Sequence, residues 1–199
     1  MKKLSVLAAG AVLLCGLASP AHALLVSTGL SCNAGNVMVT GFDPDALACS
    51  GAWAGNDTPQ EADLLAQLAV DFGSVLGSGA TFAVLGKSDD ANNGPFTSNP
   101  ETTSGTLTFD TAQTGFFAVT LKAGNAFSTY LFDGGVLGLT SIDFSTAGVQ
   151  VNQNGIPAEL SHATLIDVSP IPEPETYALM LAGLGAMGFV ARRRKQRAA

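Results

Sequence analysis

Two uncharged apolar runs, residues 4–18 and 177–191, stand at opposite ends of the chain, and each adjoins a basic cluster. Between them, residues 24–171 are what is left to fold. The first run follows Met1-Lys2-Lys3 and ends at Ser19-Pro20, after which Ala21-His22-Ala23 has the small-x-small spacing that signal peptidase reads. This combination predicts a secretory signal peptide over 1–23, cleaved after Ala23. The run is short of the ~20 residues that a membrane span needs, which argues against a retained anchor. Cys15 is preceded by Leu14 where lipoprotein processing wants a small residue, so a lipid anchor is not expected.

Export carries the body into a compartment where disulfides form. Loss of the leader removes Cys15 and leaves Cys32 and Cys49, for which a single pairing exists. The loop so closed gives a chain-entropy gain of about 3 kcal/mol. The mature chain holds one His, His162, and no further Cys, so the pair reads as a structural bridge and not as part of a zinc site.

Charge then limits what the body can bind. Of nine Lys and Arg, Lys87 and Lys122 alone lie between residues 24 and 171, against fourteen of the sixteen carboxylates. Two cations cannot supply the basic face that nucleic acid requires, so no nucleic-acid partner is expected. The same shortage argues against a phosphate pocket and against electrostatic docking on an anionic membrane.

The C-terminal end has three parts in order. Pro172-Glu173-Pro174-Glu175 comes first, then the fifteen uncharged residues of 177–191, then Arg192, Arg193, Arg194, Lys195 and Arg197. As a helix the apolar part reaches about 22 Å, short of a ~30 Å hydrocarbon core, and snorkelling arginines narrow the gap. The positive-inside rule keeps the basic end cytoplasmic while the leader sends the body outward. A single transmembrane helix over 177–191 with a basic stop-transfer end at 192–197 satisfies both. Gly183, Gly185 and Gly188 lack the four-residue spacing of a helix-dimerisation motif.

This tail resembles the PEP-CTERM sorting signal, with Pro172, Glu173 and Pro174 matching its motif and the three parts in the family's order. The same segment is also known as an ice-binding-protein C-terminal domain. The resemblance covers about 28 residues, 172–199, and implies export, transient anchoring in the inner membrane of a Gram-negative bacterium, and processing near the Pro-Glu-Pro by an exosortase, an integral membrane protease. It further implies a final place in the envelope, on the surface or in the extracellular matrix of bacteria that make exopolysaccharide and biofilm. Two body segments are similar to the family as well: Ala48-Cys49-Ser50-Gly51-Ala52-Trp53-Ala54-Gly55-Asn56-Asp57, which resembles a Cys-Ser-Gly-aromatic-Gly-Asn-Asp stretch, and Leu160-Ser161-His162-Ala163 ahead of the tail. The resemblance assigns neither an activity.

The body reads as mainly β. Candidate strands are Leu24–Thr28, Asn36–Phe42, Thr81–Leu85, Gly105–Asp110, Phe116–Lys122, Ser128–Phe132, Thr140–Ser145 and Ala163–Val168. Leu107 and Phe109 alternate with threonines, and Ile142 and Phe144 alternate likewise, as half-buried strands require. Turn residues cluster at Asp89–Pro95, Ala123–Asn125, Asp133–Gly135 and Asn152–Pro157. Eight short strands with these breaks predict an antiparallel β-sandwich or jelly roll. One helix is expected, with Thr58 as N-cap, Pro59 at N1 and Glu61 completing a capping box. Its buried face would carry Leu64, Leu65, Leu68 and Ala69, it would stop before Gly73, and it would lie across the sandwich. No internal repeat stands out, and the regular threonine array of an ice-binding solenoid is missing.

Catalytic signals are sparse. Any histidine chemistry must use His162, and the adjacent Ser161 would point to the opposite face of a strand. There is no Gly-x-Ser-x-Gly elbow. Oxygen ligands for calcium occur in turns at Asp43, Asp45, Asn56, Asp57, Asp89, Asp90, Asn92 and Asn93, without the EF-hand pattern, and solvated acidic turns are the plainer reading. Trp53, the one Trp, is expected to cover the core beside the Cys32–Cys49 bridge; exposed, it could stack on a sugar. With fourteen carboxylates in the body, a pair suited to glycoside hydrolysis is always available and carries little weight. The expected function is therefore a structural or interaction role with no catalytic or cofactor site, linked to exopolysaccharide or biofilm. A carbohydrate-binding module for exopolysaccharide is the alternative, and an extracellular hydrolase comes third.

Overall fold

Leu107, Phe109, Ile142 and Phe144 are all buried, as their alternation predicts, because they form the inner face of one sheet packed on another. A computed structural model describes residues 25–32, 37–39 (backbone), 46–170 and 180–187. Nine strands are described: β1 (Val26–Ser27), β2 (Val37–Val39), β3 (Ala48–Ala54), β4 (Thr81–Lys87), β5 (Ser104–Gln113), β6 (Phe116–Ala123), β7 (Ala126–Asp133), β8 (Leu139–Ser145) and β9 (Leu160–Ser169). Two short helices, α1 (Glu61–Asp71) and α2 (Gly73–Leu76), lie between β3 and β4.

All pairings are antiparallel. A six-stranded sheet runs β1-β3-β7-β6-β9-β4 and a three-stranded sheet runs β2-β8-β5. One apolar cluster fills the space between them, with Leu107, Phe109, Ile142 and Phe144 facing Phe117, Val119, Leu121, Tyr130, Phe132 and Leu165. A row of rings crosses this layer: Phe96–Phe109 at 5.6 Å, Phe109–Phe117 edge-on at 5.5 Å, and Phe117–Phe132 stacked at 5.3 Å.

The expected helix across the sandwich lies on the outer face of the large sheet. Leu64, Leu68, Phe72 and Leu76 form the buried side of α1 and α2 and pack on Ala118, Phe127, Leu131, Ile166 and Val168 of the large sheet. The molecule is thus a sandwich with a helical third layer. Strands β6 and β7 are covered on both sides and buried along almost their whole length, so apolar and polar residues do not alternate along them.

Each of the eight expected strands overlaps an observed one, although Leu24 and parts of 36–42 lie outside the described residues. Strand β3 was not expected. Ala-Cys-Ser-Gly-Ala-Trp-Ala has no β-branched residue and a central glycine, and it is held as a strand by its neighbours β1 and β7. The helix start also differs. Helix α1 begins at Glu61 after Gln60, with no side-chain cap, and the expected Thr58 capping box does not form. The Thr58 hydroxyl instead accepts a hydrogen bond from Lys87 Nζ at 2.7 Å.

The pairing register defines two ends of the large sheet. Thr81, Phe116, Asp133 and Ser169 lie at one end, where the chain leaves toward its tail. Lys87, Ala123, Ala126 and His162 lie toward the other, beside the two-residue β6–β7 turn at Gly124-Asn125. Gly124 has φ +53°, the value that a tight hairpin of this kind needs at its first central position.

Of the expected transmembrane helix at 177–191, residues 180–187 are described, and they are helical and exposed. Among the described residues no helix is long and apolar enough to cross a membrane. The leader with Ala21 and Ala23, the motif Pro172, Glu173 and Pro174, and the cluster Arg192, Arg193, Arg194, Lys195 and Arg197 lie outside the described residues.

Candidate functional site

The segments Cys49–Asp57 and Leu160–Ala163 meet at a buried carboxylate. Asp57 is 3% exposed and sits on the turn that follows β3, on the helix-covered side of the large sheet. Both of its oxygens lie 3.0 Å from His162 Nε2. Its Oδ2 also accepts from Lys87 Nζ and from Thr164 Oγ1, each at 3.0 Å. His162 Nδ1 faces Asp89 at 3.3 Å. Lys122, buried on the same side, donates to the Gly124 carbonyl in the β6–β7 turn. Both lysines of the body and its one histidine therefore gather at this end of the sheet.

Electrostatics follow from burial and pairing. Burial alone would raise the Asp57 carboxyl, but hydrogen bonds and charge from His162 and Lys87 overcome it and hold the group well below the usual carboxylate range. Burial pushes the Lys122 ammonium down, and the charge on Asp57 opposes it.

Two bulges aim these side chains. On a regular strand, residues three apart point to opposite faces. Strand β4 shifts register between Val84, opposite Ile166, and Gly86, opposite Leu165. The extra residue turns Lys87 onto the face of Val84, toward Asp57. Strand β3 shifts between Ser50, opposite Thr129, and Trp53, opposite Phe127, which brings Trp53 to the face of Ser50. Trp53 Nε1 then donates to Ser50 Oγ at 3.2 Å, and Ser50 Oγ donates to Asp71 Oδ2 of α1 at 2.6 Å.

Cys49 is bonded to Cys32, with Cα atoms 6.0 Å apart, and packs toward the inter-sheet core. Ser50 ties β3 to α1. Gly51 has φ +130°, and a Cβ there would lie 2.7 Å from Ser128 Oγ. Trp53 is half-buried in the helix-side cluster, on the opposite face of the sheet from the disulfide, so the expected place beside the bridge is corrected by the β3 bulge. The Gly55 N–H is held by the Asn125 carbonyl at 2.9 Å, which sets the turn that delivers Asp57. In the second segment, Leu160 and Ala163 fill the inter-sheet core and His162 points the other way. Ser161 is exposed, away from His162, and its carbonyl accepts from Asn99 Nδ2 at 2.9 Å.

Chemically this arrangement is a pin. Both ring nitrogens of His162 face carboxylate oxygens, Nε2 those of Asp57 and Nδ1 that of Asp89, which ties the imidazole between the β3–α1 turn and the β4 end. The nearby hydroxyls are committed too: Thr164 donates to Asp57, and Ser88 donates to Asn99 Oδ1 at 2.7 Å while accepting from the Ala163 N–H at 2.7 Å. Three of the residues considered for calcium are engaged within the protein. Asp57 is paired with Lys87 and His162, Asp90 Oδ2 accepts from the Lys87 N–H at 2.7 Å, and Asn93 Nδ2 donates to the Thr97 carbonyl at 3.2 Å. Asp43 and Asp45 lie outside the described residues, and among the described ones no cluster of His, Cys, Asp and Glu is arranged to hold a metal ion.

Sequence reasoning missed Asp57 and Lys87 as partners of His162. One signal was available: the two segments singled out by resemblance contain the acid and the base that meet.

No curated protein and no solved structure matches the chain. The family model of the PEP-CTERM protein-sorting motif matches residues 170–195, the stretch in which the Pro-Glu-Pro, the apolar run and the arginines stand in order, and the chain thus carries a PEP-CTERM sorting motif, which supports export and sorting through an exosortase.

Proposed function

We propose that the mature protein is a structural or interaction component of the cell envelope or extracellular matrix, linked to exopolysaccharide and with no turnover of its own. The sorting tail supports the address. The main support for a non-catalytic role is the Asp57–His162–Lys87 network, in which the groups able to move a proton are spent on holding the β3–α1 turn to β4 and β9. Before processing, the apolar run at 177–191 holds the chain at the inner membrane, with the basic end on the cytoplasmic side.

The carbohydrate-binding alternative asks for an accessible aromatic platform. Among the described residues no Phe, Tyr or Trp is fully exposed, and Trp53 gives its N–H to Ser50, which weighs against stacking on a sugar. Contact with polysaccharide would then run through hydroxyl and amide groups on the exposed strand faces.

The C-terminal mass of the mature protein from native cells tests the address. A chain ending near Pro172–Glu175 supports processing and release toward the matrix. A chain ending at Ala199 would make the tail a permanent anchor and overturn the matrix assignment. A robust turnover on any of a broad panel of glycosidase and esterase substrates would count against the non-catalytic reading.

A further inference from the structure

Among the described residues, the two most exposed large apolar side chains are neighbours. Val136 and Leu137 are 96% and 95% exposed and stand in the five-residue loop Gly134-Gly135-Val136-Leu137-Gly138 between β7 and β8. Exposed apolar side chains are common singly, but a pair presented at full exposure on a fixed frame needs a reason. Here the frame is fixed. The Gly134 N–H donates to the Gly115 carbonyl at 2.8 Å, Gly115 N–H to the Gly135 carbonyl at 2.9 Å, and Gly138 N–H to the Gly134 carbonyl at 3.0 Å. Asp133 Oδ1 accepts from the Gly135 N–H at 2.8 Å. A Cβ on Gly134 would lie 1.9 Å from the Gln113 carbonyl oxygen, and one on Gly138, at φ +80°, 2.9 Å from Ala112 Cβ. The loop is clamped at both ends against the β5–β6 turn, so the two side chains cannot fold back onto the core.

The position of this tip indicates what it meets. Asp133 ends β7 opposite Phe116, and the next residue of β6, Phe117, lies opposite Asp167 of β9. Loop and tail exit therefore share one end of the sheet, two strand spacings apart, about 10 Å. From Pro170 to the start of the apolar run at Tyr177 the chain can span at most about 25 Å. Lys87 and Lys122 both lie at the opposite end. The end from which the tail leaves thus offers the Val136–Leu137 pair, with Asp133 and Asp167 exposed at its strand ends, and no lysine or arginine.

We infer that, while the tail anchors the chain, the Val136–Leu137 tip dips into the outer interface of the inner membrane and orients the body with its Asp57 end outward. The occupant is lipid, reached by apolar insertion without headgroup charge pairing, in the manner of interfacial anchors. This rests on the reading that residues 177–191 hold the chain in the membrane.

The test uses the full chain reconstituted in phosphatidylethanolamine/phosphatidylglycerol vesicles that contain brominated phosphatidylcholine. Indoles are added by Leu137→Trp at the tip and, in a second protein, by Ile156→Trp in the exposed turn at the other end; each spectrum is read against the parent, which has Trp53 alone. The expected result is blue-shifted, bromine-quenched added emission for Leu137→Trp, unquenched emission for Ile156→Trp, and the urea midpoint of the parent for both. Anchored chains whose Leu137→Trp emission is unshifted and unquenched overturn the inference and leave the anchoring intact. Chains that fail to float with the vesicles overturn the anchoring, and the inference with it. An unquenched tip that crosslinks to the processing protease in native membranes would assign the surface to a protein partner and overturn the lipid assignment.

Discussion

Replacing Asp57 with Asn removes a buried negative charge that three side chains point at and leaves the packing volume almost unchanged. The variant side chain offers one carbonyl oxygen and turns an NH2 toward groups that are themselves donors. Breaking a buried ion pair by removing one partner costs about 3–5 kcal/mol. The lower end applies here, because Lys87 keeps its bond to Thr58 Oγ1 and His162 keeps Asp89. A loss of about 3 kcal/mol with a urea slope of about 2 kcal/mol/M moves the unfolding midpoint down by about 1.5 M. The assay is urea unfolding of the body at neutral pH with the disulfide intact.

The pH dependence has a definite sign. The Asp57 carboxyl is depressed in the folded state, so its contribution is fully present above its unfolded value of about 3.9 and is lost as pH falls below that toward the folded one. The gap between parent and Asp57→Asn should shrink as the pH falls below about 4. A midpoint unchanged from the parent at neutral pH, or a gap that widens on acidification, would refute the reasoning.

Phe117→Ala should cost about 3–5 kcal/mol in the same assay, since Phe117 is buried between Phe109 and Phe132 at the centre of the inter-sheet layer. Opening the Cys32–Cys49 bridge, by reduction or with Ser at both positions, should lower stability by about 3 kcal/mol, and a reduced protein as stable as the oxidised one would count against a structural bridge. Gly134→Ala should destabilise the β7–β8 loop, because the added carbon meets the Gln113 carbonyl, whereas Gly183→Ala meets nothing and should leave unfolding of the body unchanged.

Much of the body was legible because its strands alternate or carry β-branched and aromatic residues between turn clusters. β5 and β8 are the clearest cases, with Leu107, Phe109, Ile142 and Phe144 all on the inner face. The Cys32–Cys49 pairing followed from counting cysteines in an exported chain. β3 was not legible, since it owes its conformation to hydrogen bonds from β1 and β7 and not to its own residues. The Thr58 capping box was misread because a hydroxyl satisfies whichever donor arrives, and Lys87 arrives from 29 residues away.

The tail, with its order of Pro-Glu-Pro, apolar run and arginines, was determined by sequence alone, because sorting machinery reads a local linear pattern. The alternating strands were determined in the same way, by a period that the chain carries in itself. The meeting of Asp57 with Lys87, His162 and Thr164 was decided by tertiary structure. Those partners are 30, 105 and 107 residues distant along the chain. A one-residue bulge decides whether Lys87 reaches the carboxylate or points to the other side of the sheet. A bulge forms where two strands must reconcile their registers, and that fit exists only once both strands are packed.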